Sequence, residues 1–401
     1  MMKAVLFLIF TLCCCQSFAQ NIVCYYDGRA GTYATPVLPE ALQSANCTHY
    51  TYIGIGLTSK GDLRELNPNF DLKTGLPSFL QLRSPTSKLL VLLGGIYESS
   101  ATFSTAVGAS LDSLINNIAL FLTRHNLDGV DVDWRYPGSR GGKPNDKVIT
   151  GTSSEHPGRL GLSALRQNAV NRESKANFQK FLIRLRARLN MMNKLLAISV
   201  SPNPAPSGVA YDATTLSLYA DMINVYAFNF TEGTETVTTN LAPMYSNSAN
   251  PISVNSSISS WLSTKVRKNK LNLVVATYAR SYTLANAASK SGLGAPTRGQ
   301  GLAGTNSKQP GYLSQDEFCA IKSGYGNTSD ATTQTTFFAR DSSWVSSETA
   351  DSLVQKYSYV IDSGLAGVGI YTLDWDDTSD GCGAGQFPAV QLARDYLLSS
   401  Y

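Results

Sequence analysis

Histidine is scarce in this sequence, which has 3 among its 401 residues. Scattered histidines argue against a catalytic metal centre. We expect no metal and no cofactor, because the sequence also lacks a His-Glu-x-x-His helix, a phosphate-binding glycine loop and a Gly-x-Ser-x-Gly turn. Long runs of one charge are absent as well, and the net charge is only +4. Neither a nucleic acid nor a membrane surface is therefore an expected partner.

Apolar runs long enough to span a bilayer are missing too. The amino terminus has Lys3, a short apolar core over Ala4–Cys15 and the small-x-small site Ser17-Phe18-Ala19. This arrangement is typical of a signal peptide. We expect residues 1–19 to be removed and the mature chain, 20–401, to be a secreted, extracellular monomer without a membrane anchor.

Few cysteines remain after that peptide. Three of the 7 lie within it, and the other four form an even set that suits disulfide bonds in an oxidising compartment. We expect the first to pair with the second and the third with the fourth, giving Cys24–Cys47 and Cys319–Cys382. The glycosylation sequons that we expect to be used are Asn46, Asn255 and Asn327. A fourth sequon starts at Asn229 at the end of a predicted strand, and we expect it to be buried or unused.

Apolar and aromatic runs of strand length alternate with segments of helical spacing along the mature chain. The runs that predict strands are Asn21–Asp27, His49–Leu57, Lys88–Ile96, Gly129–Trp134, Leu195–Pro202, Met222–Phe230, Leu271–Ala279 and Gly367–Asp376. Several are continuously apolar, which suits strands covered on both faces. Eight repeating units favour an α/β fold, the TIM (β/α)8 barrel, over an open sheet.

Two segments fall outside this repeat. Residues 137–174 are rich in Gly, Ser, Arg and Pro, and we expect a long loop at the barrel mouth, where such folds keep their function. Whether its part 138–173 covers a cleft is left open. Residues 280–346 mix Gly-Pro turns with short aromatic runs. For them we predict a small α+β lobe, inserted between the seventh and eighth strands, that forms one wall of a cleft.

The fourth predicted strand carries the acidic run Asp128-Gly129-Val130-Asp131-Val132-Asp133-Trp134-Arg135. Apart from its last residue, this run is similar to the D-x-x-D-x-D-x-E signature of family 18 glycoside hydrolases, the chitinases and their relatives. Further motifs in the family's order are Val23-Cys24-Tyr25-Tyr26, Gly94-Gly95, Ala279-Arg280-Ser281-Tyr282 and Leu373-Asp374-Trp375-Asp376-Asp377. The chain resembles this family over about residues 21–401. The resemblance implies a TIM barrel with an insertion domain and a chitin-type cleft.

The resemblance also implies substrate-assisted hydrolysis. In that chemistry the closing glutamate is the general acid, while the preceding aspartate and a strand-six tyrosine hold the sugar's N-acetyl group. Here Arg135 occupies the acid position, and a guanidinium holds its protons too tightly to act as an acid. The tyrosine and aspartate of the family's Met-x-Tyr-Asp correspond to Phe228 and Asn229. The strand-eight tryptophan corresponds to Tyr371, and Ser-x-Gly-Gly-Trp on strand three becomes Leu92-Leu93-Gly94-Gly95-Ile96. These changes meet in one cleft, so we predict a degenerate site without hydrolase activity.

Each candidate residue also has a structural interpretation. The resemblance assigns ligand contacts to Tyr25, Asp133, Arg135, Tyr226, Arg280 and Tyr371. For Asp131 and Asp133 we favour buried ion pairs with Arg135, because a cation in a barrel mouth needs a partner. Arg280 either lines the cleft or closes an ion pair at the hinge of the lobe. Tyr25, Tyr371 and Trp375 could stack on sugar rings, although aromatic residues at strand ends more often belong to the core.

The sequence therefore predicts an inactive chitinase-like protein whose cleft recognises a ligand. That ligand is a chito-oligosaccharide, an acidic glycan attracted by Arg135, or an extracellular protein or receptor. A lectin, a signalling or growth-promoting factor and an extracellular-matrix component all stay open. The alternative is a residual glycosidase with a relocated acid, for which Glu98, Glu155 and Glu232 are the candidates. We expect these three carboxylates to stand in water instead.

Overall fold

The computed structural model describes residues 20–135, 137, 160–202, 210–230, 236–286 and 292–398, with the backbone alone for residues 160–172. Its strands are β1 Asn21–Asp27, β2 His49–Leu57, β3 Leu63–Glu65, β4 Lys88–Gly94, β5 Gly129–Asp133, β6 Leu195–Val200, β7 Met222–Tyr226, β8 Leu271–Ala276, β9 Ala279–Leu284, β10 Thr297–Gln300, β11 Tyr312–Leu313, β12 Gly326–Asp330, β13 Thr335–Arg340, β14 Ser343–Ser347 and β15 Gly367–Tyr371. Its α-helices are α1 Leu76–Phe79, α2 Ser100–Ala109, α3 Leu111–Arg124, α4 Leu160–Asn190, α5 Ala213–Tyr219, α6 Val254–Leu262, α7 Gln315–Lys322, α8 Ala350–Ser363 and α9 Pro388–Leu397.

Parallel strands form the centre of the molecule. They pair in the order β1-β15-β8-β7-β6-β5-β4-β2, and β1 also pairs with β2, so the sheet closes on itself. The short strand β3 lies antiparallel to β2 on the outside of this closure. The prediction of a TIM barrel is confirmed.

The continuous apolar run in β4 shows why the sequence closes in this way. Leu89, Val91 and Leu93 pack in the layer between the barrel and its helices, whereas Leu90 and Leu92 pack in the barrel interior. Alternate residues of a strand point to opposite faces, so a strand that is buried on both faces needs apolar residues at every position.

Several predicted strands extend too far at their carboxyl ends. Strand β4 ends at Gly94 rather than at position 96, because Gly94 and Gly95 adopt φ angles of 101° and 80° that turn the chain out of the sheet. Likewise β7 ends at Tyr226 and β15 at Tyr371. The aromatic residues that follow these strands are buried over the barrel mouth. Because they are apolar, the sequence pattern predicted that the strands continue through them.

The long connection after β5 also differs from its prediction. The expected loop over residues 137–174 is helical from Leu160 onward, because α4 starts there and runs to Asn190. The first half of this helix contains no proline and a single glycine, Gly161, so helix propensity does not interrupt it. Residues 138–159, including the part expected to approach a cleft, lie outside the described residues, as does the expected signal peptide.

A second sheet lies between β8 and β15 in the chain. Its antiparallel strands follow the order β10-β9-β14-β13-β12, and β11 pairs with β9. Helix α7 packs on one face through Phe318, which contacts Phe338 and Val345 in a small core of its own. This sheet brings Arg280 and Tyr312 side by side, because the two residues are register partners on β9 and β11.

In the described part of the chain no single helix has the length and apolarity needed to cross a membrane, although α2 and α3, bent by 103° at their junction, meet those criteria as a pair.

Candidate functional site at the barrel mouth

Asp131 lies deepest in the candidate site, on strand β5 inside the barrel. Its Oδ2 accepts hydrogen bonds from Ser199 Oγ (2.9 Å), Asn224 Nδ2 (2.9 Å) and Tyr25 Oη (3.1 Å). Burial and then the charge of Asp133 raise the pKa of Asp131 to about 7. The expected ion pair between Asp131 and Arg135 is therefore wrong. Polar side chains from three other strands hold this carboxyl group instead.

Asp133 forms the expected ion pair with Arg135. Arg135 Nε donates to both carboxylate oxygens of Asp133 at 3.0 Å, and Nη2 donates to Oδ2 at 2.8 Å. Tyr226 Oη donates to the same Oδ2 at 2.9 Å. The Arg135 guanidinium also lies 4.2 Å from the centre of the Tyr226 ring. Burial alone would lower the pKa of Arg135, but the charge of Asp133 and these hydrogen bonds raise it well above its ordinary value. Position 135 therefore keeps a permanent cation.

Aromatic rings pack around this ion pair. The Tyr371 ring lies 5.5 Å from Tyr25, 5.4 Å from Tyr226 and 5.4 Å from Phe228, measured between ring centres. Tyr25 is fully buried and its hydroxyl is held by Asp131, so it belongs to the core. Trp375 is buried as well, and its Nε1 donates to Tyr33 Oη. Tyr371 stays partly exposed, and it can offer ring surface to a ligand.

Arg280 occupies the wall between the barrel and the second sheet. Its side chain is 1% exposed, and its guanidinium lies 4.4 Å from the centre of the Tyr312 ring and 5.7 Å from that of Tyr282. Within the described residues none of its three nitrogens has a hydrogen-bond partner, and no carboxylate pairs with it. The alternative in which Arg280 closes an ion pair at the lobe hinge thus finds no partner in that part of the chain.

Asn229 lies beside the same wall, with its Nδ2 donating to Tyr312 Oη at 3.3 Å. Its Oδ1 is buried and has no hydrogen-bond partner among the described residues. The two polar groups without partners, on Asn229 and on Arg280, are therefore both next to the Tyr312 side chain. Phe228, one residue earlier, contributes only its ring, which lies 6.0 Å from Tyr278.

A second aspartate–arginine pair lies at the mouth, and it was not predicted from the sequence. At the end of β1, Arg29 Nη2 donates to Asp27 Oδ2 at 2.8 Å, and Tyr97 Oη donates to the same oxygen at 2.9 Å. The Arg29 guanidinium lies 4.2 Å from the Tyr97 ring centre. Asp374 receives the backbone N–H of Asp27, and burial followed by the charge of Asp27 raises the pKa of Asp374 to about 7. The Asp-x-Arg spacing shared with Asp133-Trp134-Arg135 was the signal that could have revealed this pair.

Glu98 was expected to stand in water, and this expectation is wrong. It is 4% exposed, and its Oε2 accepts from Arg64 Nη2 at 2.8 Å and from the Leu57 backbone at 2.9 Å. The neighbouring strand β3 supplies Arg64, so the carboxylate is held beside β2 by a counter-ion. Glu155 and Glu232, the other candidates for a relocated acid, lie outside the described residues.

The remaining expectations concern cross-links, glycans and metals. Both expected disulfides, Cys24–Cys47 and Cys319–Cys382, are present, and the pairing is confirmed. Of the sequon asparagines, Asn46 and Asn327 are exposed and Asn255 is partly exposed, and their use stays a prediction. Among the described residues, no group of three histidine, cysteine, aspartate or glutamate side chains could hold a metal ion.

Comparison with known proteins identifies a family whose sequences match this chain. The model of the family Glycosyl hydrolases family 18 matches residues 21–376. Chitotriosidase-1 of Mus musculus is 26% identical over 392 residues, which cover 94% of this chain and 78% of that protein. Chitinase-3-like protein 2 of Homo sapiens is 26% identical over 398 residues, covering 94% and 93%. The human Oviduct-specific glycoprotein is 27% identical over 388 residues, and the chain spans about half of its length, 54%.

Solved structures share the same fold. The Group IV chitinase of Ostrinia furnacalis superposes with a TM-score of 0.83 at 25% identity, over 94% of this chain and 100% of that one. Human YKL-39, described as a pseudo-chitinase with retained chitooligosaccharide binding properties, superposes with a TM-score of 0.80 at 23% identity, over 95% and 100%. The similar proteins thus include both chitinases and a pseudo-chitinase.

Proposed function

The chain belongs to glycosyl hydrolase family 18, and from this premise we propose that it is a secreted chitinase-like protein without hydrolase activity, whose barrel mouth recognises a ligand instead of cleaving it. One observation carries the proposal. At the position of the catalytic acid, Arg135 forms a bidentate ion pair with Asp133, and this pair engages both oxygens of that carboxylate.

The chemistry of the family makes this ion pair incompatible with turnover. Arg135 cannot protonate a leaving oxygen, and loss of general acid catalysis typically costs about 10²–10⁴ in rate. Asp133, which would have to hold the N-acetyl group of the substrate, is already bound by Arg135 and Tyr226. Phe228 offers no hydroxyl to replace that contact. Because Arg135 neutralises Asp133, that carboxylate is also not free to stabilise the positive charge that develops on the sugar ring in the transition state.

A chito-oligosaccharide is the ligand that the mouth supports best. YKL-39, with the same fold, is described as retaining chitooligosaccharide binding without being a chitinase. In this chain the partly exposed Tyr371 ring, backed by Tyr226 and Phe228, can stack on a sugar. The expectation that Arg135 attracts an acidic glycan loses its basis, because the ion pair with Asp133 neutralises the charge of Arg135. Recognition of an extracellular protein is the alternative that a failed glycan titration would favour.

The absence of hydrolysis is tested with a fluorogenic chito-oligosaccharide. We expect no turnover above the blank for the wild-type chain, and none for Arg135→Glu alone, because Phe228 still lacks the orienting hydroxyl. Turnover that survives Arg135→Ala but disappears in Glu98→Gln or Glu155→Gln would contradict the proposal and establish a relocated acid.

The proposed binding of a chito-oligosaccharide is tested separately by titration calorimetry with chitotetraose. We expect heat of binding for the wild-type chain and a loss of affinity for Tyr371→Ala, because the sugar would lose its contact with the tyrosine ring. Contacts between two aromatic side chains are worth about 0.5–1.5 kcal/mol, and we expect a loss of this order. Tyr245→Ala is the matched control, because Tyr245 is 41% exposed and belongs to none of the ring contacts at the mouth. No heat at millimolar chitotetraose would leave protein recognition as the better account.

A further inference from the structure

Among the described residues three arginines lie at the mouth, and the charges of two of them are neutralised by aspartates. Arg29 is paired with Asp27 and Arg135 with Asp133, each through a bidentate contact. Arg280 differs, because no carboxylate among the described residues pairs with its guanidinium and none of its nitrogens has a partner with good hydrogen-bond geometry. Burial lowers its pKa, but nearby tyrosine hydroxyls, including that of Tyr282, raise it above its ordinary value. Removing a guanidinium from water without a partner costs several kcal/mol. Within the described residues, the wall of the site therefore holds a buried cation without a counter-ion.

The neighbours of Arg280 define what would satisfy it. Tyr312 lies against the face of the guanidinium and is itself partly exposed at the mouth. Its hydroxyl accepts a long hydrogen bond, 3.3 Å, from Asn229, and this ring must turn away from Arg280 for a ligand to reach the guanidinium. The Oδ1 of Asn229, also buried and unsatisfied, requires a donor. The wall therefore offers several N–H donors with a full positive charge beside one neutral acceptor.

We propose that Arg280 is the receptor for an anionic group on the glycan, a carboxylate or a sulfate, and that Asn229 accepts a hydrogen bond from a neighbouring hydroxyl of the same ligand. The inference rests on the proposed function, because it assumes that the mouth binds a glycan, and it adds the chemical class. An anion matches the site better than a neutral hydroxyl does. A charge-assisted, bidentate contact uses the planar donor set and also supplies the missing counter-charge. An aspartate at position 229 would have supplied that charge internally, but asparagine cannot.

The test uses three oligosaccharides that share N-acetylglucosamine. They are a hyaluronan hexasaccharide, in which glucuronate alternates with N-acetylglucosamine, the same hexasaccharide after reduction of its carboxyl groups, and chitohexaose. We expect the charged hexasaccharide to bind about 10-fold or more tightly than its reduced form, as one charge-assisted contact predicts. Equal affinity for the two would overturn the inference while binding of chitohexaose still supported the proposed function. Failure of all three to bind would overturn both.

Single-residue variants then test whether Arg280 causes the preference for the charged hexasaccharide. Arg280→Gln should abolish the preference for the charged hexasaccharide, and Asn229→Asp should do so without removing the arginine, because the new carboxylate neutralises it. The second variant keeps the test decisive if Arg280→Gln does not fold. Arg298→Gln is the matched control, since Arg298 is an exposed arginine on β10 of the same sheet. If Arg298→Gln lowers the preference as much as Arg280→Gln, the effect is general surface charge and the proposed receptor is wrong.

Discussion

Removing Arg135 should destabilise the protein. In Arg135→Gln the carboxylate of Asp133 stays 1% exposed and keeps the Tyr226 hydroxyl, but it loses its counter-ion. A buried carboxylate without a counter-ion is no longer compensated for its removal from water, so the variant should be less stable than wild type.

The magnitude follows from burial. Breaking a fully buried ion pair by removing one partner costs about 3–5 kcal/mol. The Arg135 side chain is 19% exposed, which lets water reach the vacated position and places the expected loss near the lower limit, at about 3 kcal/mol at pH 8. Arg184 provides the comparison, because it pairs with Asp112 at the surface, where the two side chains are 46% and 71% exposed. Arg184→Gln should cost less than about 1 kcal/mol at pH 8.

Urea unfolding at pH 8, followed by tryptophan fluorescence and by far-ultraviolet circular dichroism, measures both effects, provided that the two probes give coincident transitions. The double variant Asp133→Asn with Arg135→Gln should recover most of the lost stability at pH 8, since it leaves no buried charge. If Arg135→Gln is as stable as wild type at pH 8, or if the double variant recovers nothing, the ion pair is not what holds Asp133 in the barrel.

Three further outcomes are expected. Burial raises the pKa of Asp376 to about 7, so the folded state holds this proton more tightly than the unfolded state, and stability should fall as pH rises from about 4 to about 7. Asp376→Asn should remove this pH-dependent contribution to the free energy of unfolding, which is up to about 4 kcal/mol. Urea unfolding at pH 4 and pH 8 measures it. Replacing Cys319 and Cys382 by serine should cost about 4 kcal/mol, because the disulfide spans 63 residues, and thermal unfolding measures the loss. Asn327 should carry a glycan in material from a secretory host, because it is exposed on the edge strand β12, and peptide mapping after enzymatic deglycosylation identifies it.

The barrel could be predicted from the sequence because its signal is local. A strand buried on both faces is apolar at every position, as in β4, and such runs alternate with helical spacing. The carboxyl ends of the strands could not be predicted in the same way. Phe228 and Trp375 are apolar because they cover the barrel mouth, and a linear pattern does not separate residues that cover a mouth from residues that continue a strand.

For the site, too, contacts between residues close in the sequence could be predicted, whereas contacts between distant strands could not. Asp133 and Arg135 are two residues apart, so their contact could be expected from the spacing in the sequence, although β5 ends at Asp133. Asp131 is likewise two residues from Asp133, yet its partners Tyr25 and Asn224 come from strands far away in the chain. Those contacts all hold the Oδ2 atom of Asp131, and Arg135 pairs with Asp133 instead. Only the closed barrel brings them together.

The two Asp-x-Arg pairs give a physical reason for an arginine, and not a neutral residue, at position 135. Asp131 is held by three donors inside the barrel, and the charge of Asp133 already raises the pKa of Asp131 to about 7. With a neutral residue at position 135, Asp133 would add a second buried charge without compensation. Asp27 and Arg29 meet the same requirement at the end of β1, again with a tyrosine hydroxyl on the same carboxylate oxygen. Arg135 thus keeps the barrel's internal carboxylates compatible with burial, and Arg280 is the cation whose charge, in the proposed recognition of an anionic glycan, a ligand would use.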